Sequence, residues 1–427
     1  MTKPDLELIG ARAREVSREL ARTSTESKVA ALTAVADALV SDADSILEAN
    51  AKDIENAESS GMSPELQDRL LLTEERLADL AGSVRGILAQ PDPVGEIIEE
   101  QTRPNGLKVQ RRRIPLGVIG PIYESRPNVT IDMASLCLMS GNAAIMRGGS
   151  ESYESNLALA SLARNCIAGA GIPADAVQFV ESKDRAYVEQ MLGMKKYIDM
   201  LIPRGGAELV RMVAERATMP AVTGGIGVCH TYVDRAADLE KAVAIVHNAK
   251  VQRPSVCNAL DTVLVHAEIA GAFLPSMAGS FWRDGVEIRG DRRTLALLEP
   301  VATESNANGL LKAAVDEDFD TEFLGMRAAV RVVDSIDDAL DHIEEHGSNH
   351  SEAIVTEDAD TMDRFLNEVD ASAVFANSST RFNDGGEFGL GAEVAISTDK
   401  LHAYGPMGLK EITSYKWVVV GDGQIRS

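Results

Sequence analysis

The sequence predicts an α/β fold with parallel sheets, and three features predict it. Between residues 115 and 230, apolar runs of strand length alternate with helical ones. Residues 5–90 carry only helical spacing. From about 231 to 390 the alternation starts again, as a second α/β unit.

In chain order, Val29, Leu32, Val35, Leu39 and Leu47 recur at helical spacing. Ser63 before Pro64 reads as an N-cap with Pro at the first helical position, and Thr73 as the cap of EERLADLAG. No catalytic constellation lies here, so helices packed on a sheet are expected. At 94–116 two extended runs flank Pro104-Asn105-Gly106, a hairpin turn. The second run carries Arg111, Arg112 and Arg113. A two-stranded ribbon is marginal alone in water and needs its edge covered.

PLGVIGPI follows as a buried strand, VTIDMASLCLMS as a helix and NAAIMR as a strand. A helix begins near Glu151, and Gly171-Ile172-Pro173 ends that unit. AVQFV and YIDMLI are further strands, and AELVRMVAERA is a helix. Sheets of this kind bind nucleotides at the carboxyl ends of their strands. No GxGxxG follows the first strand. Two other glycine loops do follow strands: Arg147-Gly148-Gly149 and Arg204-Gly205-Gly206. Glycine lets a backbone approach phosphate, and the helix N-terminus after Gly206 adds a favourable dipole. In the second unit, TEFLGMRAAVRVVDSIDDALDHIEE is a strand followed by a helix, with Ser335 and Asp338 in a capping pattern.

Composition bounds the function. With 427 residues, two or three domains fit. A net charge of −24 excludes nucleic acid as a partner, since phosphate backbones need a basic surface. No apolar run approaches the ~20 residues of a membrane span, and the N-terminus has no apolar signal region. Cys137, Cys166, Cys229 and Cys257 are widely spaced, without CxxC pairs. Neither a zinc site nor a disulfide framework is indicated, and a cytoplasmic location is expected. His342 and His346 sit at i,i+4 without an HExxH motif, so no metal is expected.

One cysteine stands at an element boundary. In AVAIVHNAKVQRPSVCNALDTVLVH a helical run ends near Lys250, a turn follows, and a strand begins near Thr262, with Cys257 between them. Such a thiol is a candidate nucleophile, and Lys250 and Arg253 nearby in sequence would favour its thiolate. A lone cysteine is more often a small buried hydrophobe, so the surrounding words decide. NAK-QRPS-CNA resembles the nucleophile segment of the γ-glutamyl phosphate reductase branch of the aldehyde dehydrogenase superfamily. The likeness runs from about Val109 to the C-terminus. PLGVIGPIYESRPNVT, SGNAAIMRGG, IPRGGAEL, GGIGVCHTYVD, SSTRFNDGGEFGLGAEVAIST and GPMGLKEITSYKW match in order.

The resemblance implies two Rossmann-like α/β domains and a small β oligomerisation domain. Residues 1–94 and 115–230, with a return segment at about 391–408, would bind NADP. Residues 231–390 would be catalytic, and 95–114 with 409–427 would be the oligomerisation strands. The hairpin is then expected to pair with the C-terminal strand of a second subunit, giving a homodimer or dimer of dimers. The two glycine loops fall where the family holds the adenosine ribose and the pyrophosphate. Arg147 matches the basic residue of the ribose loop and would meet a 2′-phosphate. Glu322-Phe323 aligns with the pair that contacts the nicotinamide ribose.

The implied reaction is NADPH-dependent reduction of L-glutamyl 5-phosphate to the 5-semialdehyde through a Cys257 thioester, in proline biosynthesis. The acyl phosphate would come from glutamate 5-kinase, a possible functional partner. The backbone N–H of Cys257 and the Asn128 side chain are the candidate oxyanion donors. Arg126, Arg253 and Arg381 are candidates for the substrate phosphate and α-carboxylate, or else structural ion pairs, and His230 is a further candidate for phosphate. The segment that carries a water-activating Glu in hydrolytic relatives reads Thr223-Gly224-Gly225-Ile226-Gly227, without a carboxylate. Four positions depart from the branch's usual words: Ser150, Asp261, Ser378 and Tyr404. The alternatives are another phosphorylating or CoA-acylating aldehyde dehydrogenase, or a silent scaffold on this fold.

Overall fold

The computed structural model describes residues 3–222, 224 and 226–426. Contacts divide the chain into two compact units: Met1–Thr223 with Gly389–Ala395 and Pro406–Ser427, and Gly224–Phe388 with Ile396–Gly405. Residues 396–405 group with the second unit, although the sequence reading placed 391–408 with the first.

The first unit opens with five helices: α1 (Leu6–Leu20), α2 (Thr25–Ser41), α3 (Ala43–Ser59), α4 (Pro64–Leu70) and α5 (Glu74–Leu88). Caps fix their starts. Asp5 accepts from the N–H groups of Glu7 and Leu8, Ser24 from Ser27, and Thr73 from Arg76. Ser63 precedes Pro64 as expected but makes no capping bond with its side chain.

A four-stranded sheet follows, built from β3 (Val118–Tyr123), β4 (Ala143–Met146), β5 (Val177–Phe179) and β6 (Met200–Arg204), after β1 (Ile97–Thr102) and β2 (Lys108–Pro115) have formed the hairpin. Its order is β5-β4-β3-β6, and all its pairings are parallel. Helices α6 (Asn128–Met139), α7 (Tyr153–Gly169), α8 (Ala186–Leu192) and α9 (Ala207–Arg216) make the connections. β3 and β4 are buried along their whole length, which is why they read as unbroken apolar runs.

The second unit is a seven-stranded parallel sheet, β10-β9-β11-β8-β7-β12-β13. Its strands are β7 (Cys229–Val233), β8 (Leu260–His266), β9 (Glu287–Gly290), β10 (Leu311–Ala313), β11 (Arg327–Val333), β12 (Ser351–Val355) and β13 (Ala373–Ala376). Between them run α10 (Leu239–Val251), α11 (Ala267–Arg283), α12 (Arg292–Glu304), α13 (Ile336–His346) and α14 (Ala359–Glu368). Val263, Phe273, Met277, Phe281 and Val330 fill one core, and Tyr232, Leu264, Ile343, Ile354 and Phe365 another. Helices on both faces make this the doubly covered sheet that the alternation predicts. Ser335 caps α13 through Asp338 N–H, while the Asp338 carboxylate turns back to Asp334 N–H. Two-residue strands β14 (Ile396–Ser397) and β15 (Gly405–Pro406) precede β16 (Thr413–Val420).

One expectation is corrected. β16 pairs antiparallel with β2 of its own chain, Thr413 opposite Pro115 through Val420 opposite Lys108. The hairpin's edge is thus covered from within, in a sheet of order β1-β2-β16. The arginine triplet is accounted for locally. Arg111 stacks over Tyr415 at 4.9 Å, and Arg113 binds Glu96 at 2.7 Å and Thr413 at 3.0 Å. Among the described residues, no helix is long and apolar enough to cross a membrane.

Candidate active site

In the second unit Cys257 lies in the turn between α10 and β8, half-buried. Its carbonyl is held from two sides. The Cys229 thiol donates to Cys257 O at 3.1 Å. Burial, reinforced by Glu352 and Asp261, pushes that thiol well above its ordinary range and keeps the donor proton in place. On the other side Gly227 packs so closely that any Cβ would overlap Cys257 O. Asn258 is buried. Its Nδ2 donates to Asn383 O at 2.9 Å, and its carbonyl accepts from Thr380 Oγ1 at 2.8 Å.

Arg381 reaches this turn from the 380–383 segment. Its Nε donates to Gln252 Oε1 at 2.8 Å, and its Nη1 to Asn258 Oδ1. Burial lowers the Arg381 pKa, and Arg253 is near enough to lower it further, while Cys257 pulls the other way. Arg253 itself is exposed. Lys250 does not serve the thiol as its sequence position suggests. It is fully buried against Asp261, at 3.4 Å.

Asp261 also accepts from Phe323 N–H at 3.1 Å. Glu322, the next residue back, accepts from Gly227 N–H at 3.0 Å. The expected ribose-contact pair is therefore stapled both to β8 and to the segment lying on Cys257. Leu324, just after it, takes a left-handed φ of 49°, a strained value for a branched side chain. Within the absent-carboxylate segment, Thr223 and Gly225 lie outside the described residues.

His230 is corrected. Its side chain is 0% exposed, its Nδ1 meets Glu352 Oε2 at 3.0 Å, and its ring stands edge-on to His342. With no accessible face, it serves the core of β7 and not the substrate's phosphate. His342 accepts from Arg331 at 2.9 Å, and His346 pairs with Asp320 at 2.7 Å. Among the described residues, no three His, Cys, Asp or Glu side chains converge as a metal site.

The first unit holds the two glycine loops, each at the carboxyl end of a parallel strand. At the second, Gly206 N–H donates to Glu124 Oε2 at 2.9 Å, and a Cβ on Gly205 would run into that same oxygen. The cradle at the N-terminus of α9 is thus filled by a carboxylate, which is direct evidence that it accepts negative charge. At the first loop Ser125 donates to Glu151 through its N–H and its hydroxyl. Arg147 departs from expectation. It is 5% exposed and donates to Gly148 O at 2.5 Å and Lys183 O at 3.3 Å. It ties the 147–149 loop to the 181–185 loop, and it does not stand free in solvent.

Asn128 opens α6 and is exposed, while Arg126 lies two residues earlier in the turn, half-buried. Asn128 Nδ2 donates to Asp132 Oδ2 at 3.0 Å. Burial raises Asp132 to about 6, against the pull of that hydrogen bond and of Arg204, and with a push from Glu393. Sequence reading missed Cys229, Gly227 and Asn258. CNA and GGIGVC carried them among the matched words, but nothing in the spacing said they converge on one carbonyl.

The model of the aldehyde dehydrogenase family matches residues 1–314. A γ-glutamyl phosphate reductase of Roseiflexus castenholzii is 53% identical over 425 residues, 99% of this chain and 100% of its own length. That of Escherichia coli O81 is 49% identical over 422 residues, with 99% and 100% coverage. The crystal structure of the Thermotoga maritima γ-glutamyl phosphate reductase superposes with a TM-score of 0.94 at 40% identity, covering 99% of this chain and 100% of the other. The chain therefore belongs to the aldehyde dehydrogenase family of oxidoreductases, in its γ-glutamyl phosphate reductase branch.

Proposed function

We propose that this enzyme uses NADPH to reduce L-glutamyl 5-phosphate to L-glutamate 5-semialdehyde, with release of phosphate, in proline biosynthesis. The observation that carries the reading is the Cys257 turn. Its carbonyl is pinned by Cys229 and Gly227, and Arg381 bonds to Gln252 and Asn258 on either side of the thiol. The name and length of the relatives supply the substrate.

Cys257 Sγ attacks the acyl carbon, and phosphate leaves with the bonding pair. Arg253, with Arg126, offers the charge that the phosphate and the α-carboxylate need. The carbonyl oxygen becomes negative at each addition, and the Cys257 N–H and Asn128 Nδ2 are its donors. An amide nitrogen carries two hydrogens, and Asn128 Nδ2 gives one of them to Asp132 Oδ2 at 3.0 Å. When bound, the dinucleotide supplies the hydride. Collapse of the thiohemiacetal returns the electron pair to Sγ and frees the aldehyde. The segment 223–227 holds no carboxylate, so water has no activator there.

The Gly205-Gly206 cradle would take the pyrophosphate once Glu124 swings away, and Gly148-Gly149 the adenosine ribose. The preference for NADP over NAD is proposed from the likeness of the 147–149 loop to the family's ribose loop, with Arg185 near enough to act on Arg147. Glu322 and Phe323 would meet the nicotinamide ribose. We further propose a cytoplasmic homodimer or dimer of dimers joined through the three-stranded sheet, because β16 exposes Tyr415 and Trp417 (54%). The acyl phosphate is labile, so a glutamate 5-kinase that makes it is a fitting functional partner.

Cys257→Ser tests the reading. Turnover should fall by several orders of magnitude while dinucleotide binding persists. Retention of more than about a tenth of the activity would remove Cys257 from the mechanism.

A further inference from the structure

Arg381 is a candidate for the substrate's anions or else for a structural pairing, and two of its donors are engaged within the chain. Nε donates to Gln252 Oε1 at 2.8 Å, and Nη1 to Asn258 Oδ1. Gln252 precedes Cys257 by five residues and Asn258 follows it by one. One planar group therefore spans the nucleophile turn. The bonds also run back: Asn258 Nδ2 donates to Asn383 O at 2.9 Å, and Thr380 Oγ1 to Asn258 O at 2.8 Å. A guanidinium is suited to this, because its donors lie in a rigid fork and it never loses its charge. Lysine keeps the charge but lacks the fork, and a neutral amide lacks the charge.

We infer that Arg381 is the positioning residue of the nucleophile: it brackets the turn from Gln252 to Asn258 and keeps a positive charge within the turn that carries Cys257. This rests on Cys257 being the nucleophile. Two consequences follow, and neither belongs to a substrate ligand. Reactivity of Cys257 toward a neutral electrophile should depend on Arg381 with no substrate present. Loss of Arg381 should lower kcat far more than it raises KM for the acyl substrate.

The experiment is alkylation of the full-length enzyme by iodoacetamide at pH 7, with steady-state kinetics on the same samples. Cys257→Ser serves as the control that identifies the labelled thiol. In Arg381→Gln the rate of Cys257 alkylation should fall about tenfold, the effect of removing one nearby opposite charge. KM for the semialdehyde should move less than about threefold, since uniform binding is untouched. Arg381→Lys should recover alkylation and only part of kcat. Gln252→Ala, at an exposed position that folding tolerates, should lower kcat while sparing alkylation. Unchanged alkylation in Arg381→Gln, or a tenfold rise in KM with kcat intact, would overturn the inference and return Arg381 to the substrate. A fully active Cys257→Ser would instead bring down the nucleophile itself.

Discussion

Gly227 lies with its α-carbon against the carbonyl of Cys257, and no side chain of any size fits between them. The constraint is space, because Gly227 is not among the glycines with positive φ. Its N–H meanwhile donates to Glu322. One residue thus couples the Cys257 turn to the segment expected at the nicotinamide ribose.

Gly227→Ala should therefore displace the turn by a fraction of an ångström or more. Misplacement on that scale costs on the order of a hundredfold in rate. The expected result is a kcat lowered by about that factor, with dinucleotide binding within about threefold of wild type. A variant with normal kcat would show that the turn yields without consequence.

Arg147 supports a second prediction. Its donors hold two loops of the first unit together, so Arg147→Ala should loosen the proposed ribose site as a whole. KM should rise by about tenfold for NADPH and NADH alike, the worth of roughly one net hydrogen bond. Dinucleotide titrations of both forms check it. A rise confined to NADPH would mean that Arg147 turns outward to a 2′-phosphate when the nucleotide is bound.

Much of this was legible in the residues. The parallel sheets were visible because β3, β4 and β8 are buried throughout and leave unbroken apolar runs between glycine turns. The turn that carries Cys257 was visible because a helix end, a proline and a β-branched run bracket it. Arg147, His230 and Lys250 were misread for a common reason. Sequence shows that a charged or titratable group is near a loop, and not whether its side chain turns inward to a partner. Lys250 finds Asp261, His230 finds Glu352 and Arg147 finds two carbonyls. The partner of β2 was misassigned because strand composition says that an edge must be covered, and not by which chain.

Buried histidines predict the acid response. Burial lowers His342 to about 2, with the Arg331 guanidinium adding to the shift, and lowers His350 to about 4. Both therefore fold neutral and take up a proton on unfolding below their unfolded value near 6.5. Their contribution is whole above that value and is lost as pH falls toward 4, at up to about 1.4 kcal/mol per pH unit for each. Urea midpoints measured from pH 7 to 4.5 should fall steeply, and less steeply for His350→Gln. Parallel curves for the two proteins would mean that His350 is not held neutral.

The central claim is that the Cys257 thioester is passed to phosphate and not to water. Its most direct test is a progress curve with purified enzyme, glutamate 5-semialdehyde and NADP⁺ in phosphate-free buffer. The account predicts one NADPH per active site, then a stall as acyl-enzyme, with steady turnover on adding phosphate. Sustained turnover without phosphate, yielding free glutamate, would contradict it.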